Sequence, residues 1–184
     1  MRSLLVLVVL AVSTAFGVQA QPKDCANCIS WTEGYKLKWS DFKGKAKKHS
    51  PNEALTDSGM SIELKCDGKT SKAVVKCYFN PNSSWTKSKD SDYLLGHEQL
   101  HFDITELFVR KLRKQLAKFG NDCEALSKHI EDYYQRNYRE FVAYQDRYDH
   151  ETKHSLNKEK QKYWEEKVAR ELAELRDFAT LASN

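Results

Sequence analysis

After its first twenty residues the sequence has no long apolar stretch, and it lacks internal repeats, low-complexity segments and Pro-rich linkers. A membrane span needs about 20 consecutive apolar residues, so none is predicted there. Charged residues make up 30% of the chain. Both signs are mixed throughout, and this excludes the basic face of a nucleic-acid-binding protein. The chain is long enough for one domain with a single core.

Residues 1–20 are typical of a secretory signal peptide. Arg2 gives a positive start, residues 4–12 are an unbroken apolar run too short to span a membrane, and V-Q-A at 18–20 offers a small-residue cleavage site before Gln21. We therefore predict a signal peptide over 1–20, a single domain over 21–184, and a secreted protein that is extracellular or periplasmic.

Five cysteines in a secreted chain suggest disulfides with one residue left over. Cys66 and Cys77 flank a short turn between two strand-like runs, so they are the best candidate pair. Cys25 and Cys28 form a C-x-x-C motif, and we favour disulfide use because no second such motif exists. Cys123 pairs with one of these or remains free.

The patterning predicts an α+β protein with a small antiparallel N-terminal sheet followed by three long helices. Residues 35–39, 60–66 and 74–79 alternate apolar and polar side chains, and Asp67-Gly68 predicts a hairpin turn between the last two runs. From about residue 91 the apolar spacing is helical, with Gly120 ending the first helix.

Residues 97–101 read H-E-Q-L-H inside the first predicted helix. His97 and His101 are four residues apart, so they project about 40° apart on one helix face and reach one metal ion. Glu98 lies beside them and is placed to hold a metal-bound water. The pattern predicts a catalytic zinc site that still needs a third protein ligand.

The third ligand is not Glu106, because nine residues of helix place it about 180° from His97. The segment Y-D-H-E-T-K-H at 148–154 offers more, at the end of the second predicted helix. An antiparallel return from Gly120 carries this end back beside His97. The spacing leaves four candidates open: Asp149, His150, Glu151 and His154.

Four stretches together resemble a bacterial family of unknown function whose members are described as predicted secreted zinc-dependent proteases. They are LKWSDFKGK at 37–45, FNPNSSW at 79–85, LLGHEQLHFDITEL at 94–107 and YDHETKH at 148–154. The resemblance implies a zincin-like metallopeptidase with Zn²⁺ as cofactor, and it implies His154 as the third ligand. The family usually has Gly where this chain has Leu100 and Ser155.

The predicted function is therefore a secreted zinc endopeptidase in which Glu98 activates a zinc-bound water. Asp103 or Asp149 is expected to hydrogen-bond a ligand imidazole. Tyr144 and Tyr148 are candidate donors to the tetrahedral intermediate, although packing is the commoner role for each.

The expected partner is a peptide or protein substrate, and a latent form would need a separate inhibitor. Two alternatives stay open. One is a secreted zinc-binding or adhesion module without turnover, and the other is a disulfide-bonded interaction domain in which H-E-Q-L-H is accidental.

Overall fold

A computed structural model describes Cys25 and residues 27–66 and 71–179. The predicted signal peptide and the Asp67-Gly68 turn lie outside these residues. The protein is α+β, as predicted, with two small antiparallel sheets followed by three helices. The strands are β1 (Ile29–Ser30), β2 (Ala54–Leu55), β3 (Ser58–Cys66), β4 (Ser71–Phe79) and β5 (Trp85–Thr86). The helices are α1 (Asp92–Leu116), α2 (Cys123–Thr152) and α3 (Lys158–Glu174).

The predicted hairpin is present as β3 and β4, which occupy one sheet in the order β1-β4-β3. Strands β2 and β5 form a separate two-stranded sheet. The expected strand at residues 35–39 is wrong, because this stretch is irregular and ends in a 3-10 turn at Trp39–Asp41. Its alternating side chains do bury Leu37, but the Leu37 N–H donates to Gln99 Oε1 on α1, at 2.7 Å, instead of to a neighbouring strand.

The structure contains disulfides between Cys25 and Cys28 and between Cys66 and Cys123. The predicted Cys66–Cys77 pair is therefore wrong. The hairpin register explains this, since Cys66 lies opposite Ser71 and Cys77 lies opposite Met60, far along the strands. Cys77 is a buried free thiol, and burial, the largest effect, raises its pKa well above the ordinary value.

Each helix begins at a side-chain cap that the sequence supplies. The Leu94 N–H donates to Ser91 Oγ, the Ala125 N–H to Asp122 Oδ1 and the Lys160 N–H to Asn157 Oδ1. Helix α1 is central, because it packs against the β3–β4 hairpin and against both other helices. Ile104 and Leu107 on α1 are fully buried, and burial of such side chains contributes about 1.5–3 kcal/mol each.

The antiparallel return of α2 brings its C-terminal end back to the start of α1, as the helix lengths predict. One hydrophobic cluster joins the hairpin to all three helices. Both disulfides fit an oxidising compartment, which agrees with secretion. No described helix is long and apolar enough to cross a membrane.

Candidate metal site

Three side chains from two helices converge at the start of α1. His97 Nε2 lies 3.2 Å and His101 Nε2 lies 3.0 Å from Oδ1 of Asp149, which is on the last turn of α2. Within the described ranges, these three form a group whose ligand atoms lie close enough together to hold one metal ion. The structure thus brings together both histidines of H-E-Q-L-H and one of the four candidates for the third ligand.

The hydrogen bonds on the far side of each ring fix which nitrogen carries the proton. Gln145 Nε2 donates to the His101 carbonyl oxygen at 2.9 Å, so its Oε1, 2.6 Å from His101 Nδ1, must accept. In the neutral ring, His101 therefore carries its proton on Nδ1, and its Nε2 presents a lone pair to Asp149.

His97 makes an equivalent contact with a glutamine of α3. Gln161 Nε2 donates to Glu165 Oε1 at 3.0 Å, so Gln161 Oε1, 3.0 Å from His97 Nδ1, is the acceptor. The Tyr148 hydroxyl lies 2.8 Å from the same oxygen and 2.7 Å from His97 Nδ1. The Tyr148 ring also stacks on the His97 imidazole, with centroids 4.7 Å apart.

These contacts place two imidazole lone pairs and one carboxylate oxygen at a single point. Asp149 Oδ1 is buried and, among the described residues, has no aligned hydrogen-bond donor, although both Nε2 atoms are close to it. Three electron-rich atoms this close need a cation between them, either a metal ion or extra imidazole protons. Two imidazoles and one carboxylate are a donor set that zinc accepts, so the residues fit the metal predicted from the sequence.

The shifted pKa values of His101 and Asp149 show the same preference of the cluster for positive charge. Burial by itself lowers the pKa of His101, but the adjoining Asp149 carboxylate and then Glu98 raise it to about 9. Burial likewise opposes ionisation of Asp149, yet the two histidines hold the pKa of that carboxyl well below its ordinary value.

Glu98 lies in the same cleft as the cluster, where the sequence predicted a catalytic carboxylate. It is buried, and its Oε2 has no hydrogen-bond partner among the residues described. The Thr56 hydroxyl donates to the Glu98 carbonyl oxygen at 3.1 Å and so attaches the segment containing β2 to α1. The cleft has a volume of about 650 Å³, and residues 51–56 form one of its walls.

The other ligand candidates lie outside the three-atom group. His154 Nδ1 is 3.6 Å from Oδ2 of Asp149, and its side chain is 62% exposed at the cleft wall. The role of His154 as the third ligand therefore stays a prediction. In this structure Asp149, rather than His154, is the third member of the three-atom group. His150 is exposed, and Glu151 accepts a hydrogen bond from Trp164 Nε1.

The supporting role predicted for Asp103 needs correction. Asp103 contacts no ligand imidazole, since it accepts hydrogen bonds from Trp31 Nε1 and Gln99 Nε2. It lines a larger cleft, about 830 Å³, that contains neither histidine of the cluster. Glu106, excluded by helix geometry, is buried between two arginines of α1.

Both tyrosines have the commoner of the two roles considered for them, that of packed side chains. The Tyr144 hydroxyl donates to Glu171, and the fully buried Tyr148 lies behind His97. Neither side chain lines the cleft, so neither is placed to donate to a tetrahedral intermediate. Tyr148 instead orients a ligand imidazole, a role that the sequence predicted for the aspartates.

Gln145 and Gln161 were missed by the sequence reasoning. A signal was present for Gln145, which is four residues before Asp149 and so lies on the same face of α2. No comparable spacing points to Gln161, because it reaches His97 from a different helix.

Residues 80–155, less than half of the chain, match the model of a family described as "Bacterial protein of unknown function (DUF922)". Over these residues the chain is similar to that family. The match includes His97, His101 and Asp149, but the description names no activity. No curated protein and no solved structure matches the chain at a significant level.

Proposed function

We propose that this protein is a secreted zinc-dependent endopeptidase whose metal is held by His97, His101 and Asp149 and whose general base is Glu98. The observation that carries the proposal is the convergence of two imidazole Nε2 atoms and Asp149 Oδ1 beside the buried Glu98 carboxylate, whose Oε2 has no hydrogen-bond partner among the described residues. The two disulfides agree with a secreted protein.

A zinc ion bound by these residues would lower the pKa of water toward neutrality and polarise a peptide carbonyl. Glu98 supplies the proton transfers, since its free Oε2 accepts the proton of the attacking water and returns it to the leaving amine. Gln145 and Gln161 keep both imidazoles in the tautomer that binds a metal.

Strand β2 offers the substrate a place to bind. Among the described strands β2 pairs with β5 alone, and the Lys87 N–H donates to the Glu53 carbonyl oxygen on that paired side. Successive residues of a strand direct their backbone groups to opposite sides, so the N–H and C=O of Ala54 point to the unpaired edge. An extended peptide that adds to this edge would lie along the cleft wall.

Replacing Glu98 tests the catalytic assignment. We expect metal-loaded Glu98→Gln to retain its zinc and to lose about 100- to 10,000-fold in cleavage rate, the usual contribution of a positioned acid–base group. Glu166→Gln, an exposed change on α3, is the matched control and should leave the rate unchanged. If the wild type binds zinc but cleaves nothing in a broad peptide library, the protein is instead a metal-binding module without turnover.

Replacing Asp149 tests the ligand set. Loss of a residue that only hydrogen-bonds a metal ligand weakens metal binding by about 10- to 100-fold. Asp149→Ala removes a proposed ligand itself, so it should weaken zinc binding by more than this. His154→Ala and the neighbouring His150→Ala should each change zinc affinity by less than about threefold, because both histidines lie outside the group formed by His97, His101 and Asp149. A competition titration with a chelating dye measures all three. A large loss in His154→Ala with little change in Asp149→Ala would assign the ligand to His154.

Metal analysis of the purified protein decides which ion it holds. Two imidazoles and one carboxylate also suit Fe²⁺. We favour zinc because Glu98 lies nearby, and a general base beside the metal is what a zinc-dependent hydrolase requires. About one zinc per chain is expected from a three-residue site with one open position.

A further inference from the structure

One wall of the cleft exposes an apolar side chain between two lysines. Leu156 is 81% exposed, more than any other large apolar side chain that the structure describes. It lies in the turn between α2 and α3, and it lines the cleft together with Lys153 and Lys158. A leucine this exposed contributes nothing to the core, and where several exposed apolar side chains line one cleft they mark a binding surface.

The backbone holds Leu156 in this position. Lys153, His154 and Ser155 all adopt the left-handed region, with φ of 51°, 50° and 73°. The turn is closed by the Asn157 N–H, which donates to the Thr152 carbonyl oxygen at 2.7 Å. Each left-handed non-Gly residue costs about 1–2 kcal/mol, and such strain concentrates at functional sites.

Further apolar side chains line the same cleft. Tyr93, which is 36% exposed, lines the cleft with Leu55 and Leu94. Lys158 Nζ lies 5.4 Å from the centre of the Tyr93 ring, so Tyr93 lies beside the segment that carries Leu156. A bulky apolar side chain placed here would contact both Tyr93 and Leu156.

The charge on the two walls differs. Glu53, on the wall that contains β2, forms an ion pair with Lys87 at 3.5 Å. No carboxylate of the described residues forms an ion pair with Lys153 or Lys158. The wall that carries Leu156 therefore presents two positive charges that are free to pair with a bound segment.

We propose that the cleft selects an extended peptide segment with a bulky apolar side chain between acidic side chains. The apolar side chain contacts Leu156 and Tyr93, and the acidic side chains pair with Lys153 and Lys158. This inference rests on the proposed peptidase function, because it assigns the substrate class of that site.

The test measures binding to zinc-loaded Glu98→Gln, which does not turn over. Two fluorescent peptides of equal length carry a central Leu, flanked by Glu in one and by Lys in the other. Fluorescence anisotropy at low salt should give about tenfold tighter binding of the Glu-flanked peptide, since each exposed pair contributes only a few-fold. The difference should shrink as salt is added.

Variants in the same background locate the effect. Lys153→Glu with Lys158→Glu should invert the preference, and Leu156→Ser should weaken both peptides equally. The matched control is Lys160→Glu with Lys162→Glu, which changes the net charge by the same amount at exposed α3 positions that do not line the cleft. It should leave the preference for the Glu-flanked peptide in place. Circular dichroism and zinc content check that every variant is folded and loaded.

Equal affinity for the two peptides, no binding of either, or an unchanged preference in the Lys153 and Lys158 double variant would overturn the proposal. Failure of this proposal can be distinguished from failure of the peptidase function. If the Glu-flanked peptide binds selectively but the wild type cleaves nothing, the substrate class stands and the peptidase function falls. If the wild type cleaves peptides without regard to flanking charge, the peptidase function stands and the proposed substrate class falls.

Discussion

At the scale of single residues, two glutamines determine which nitrogen of each imidazole faces Asp149. Gln145 and Gln161 use their amide N–H groups on other acceptors, so only their carbonyl oxygens are left for His101 and His97. A neutral acceptor in this position fixes the tautomer without adding a third negative charge to a site that already contains two carboxylates, Asp149 and Glu98.

Gln145→Leu should therefore weaken zinc binding by about 10- to 100-fold, because the His101 ring loses its fixed orientation. Gln145→Glu keeps an acceptor and should bind zinc at least as tightly as the wild type. Gln135→Leu is the matched control on the same helix, since Gln135 is exposed and its side chain donates a hydrogen bond to Glu131, away from the cluster. Zinc affinities by dye competition, together with imidazole ¹⁵N shifts, measure the effect. Equal affinities in all three variants would show that Gln145 does not orient His101.

At the scale of an element, the end of α2 combines the proposed metal ligand Asp149 with a strained turn. Asp149 is still helical, whereas residues 153–155 leave the helix through three consecutive left-handed conformations. The family resembled by this chain usually has Gly at the position of Ser155, and a φ of 73° gives the physical reason. Leu100, the other position where that family has Gly, is buried in the core and leaves the cluster undisturbed.

Ser155→Gly should raise the free energy of unfolding by about 1 kcal/mol, because Gly adopts a positive φ without steric cost. Ser127→Gly, at an exposed position inside α2, should lower it by about 0.5 kcal/mol. Urea unfolding of the metal-free protein measures both changes. A loss of stability in Ser155→Gly of the size seen in Ser127→Gly would contradict the proposed strain at the turn.

At the scale of the whole molecule, one disulfide joins the sheet to the helices. Cys66 ends β3 and Cys123 begins α2, so the bond closes a loop of 57 residues that contains the hairpin return and all of α1. Cys25 and Cys28 are three residues apart and close only a local turn. The entropy that a cross-link removes from the unfolded chain grows with loop length.

Replacing the long-range bond should thus cost the most stability. Cys66→Ser with Cys123→Ser is expected to lower the free energy of unfolding by about 4 kcal/mol, and Cys25→Ser with Cys28→Ser by less than half as much, from loop-closure entropy. Denaturant unfolding of each double variant under oxidising conditions gives these values. Equal losses in the two double variants would rule out loop length as the main cause.

Local information in the sequence was sufficient for the helices, the hairpin and half of the site. Caps such as Ser91 and Asp122, the stop at Gly120 and the alternating apolar strands act over a few residues, so each can be read from neighbouring positions. The i, i+4 spacing of His97 and His101 is equally local, and it placed both rings on one face of α1.

Only the tertiary structure decided what lies opposite that face. The choice of Asp149 over His154 depends on where α2 ends against α1, and the partner of Cys66 depends on how the hairpin packs beside α2. Gln161 reaches His97 across 64 residues from α3. Contacts of this kind arise from the packing of whole elements, which no spacing along the chain encodes. H-E-Q-L-H by itself therefore determined that His97, Glu98 and His101 share one end of α1, while the fold determined that Asp149 lies opposite them, together with the tautomers and the cleft that surrounds them.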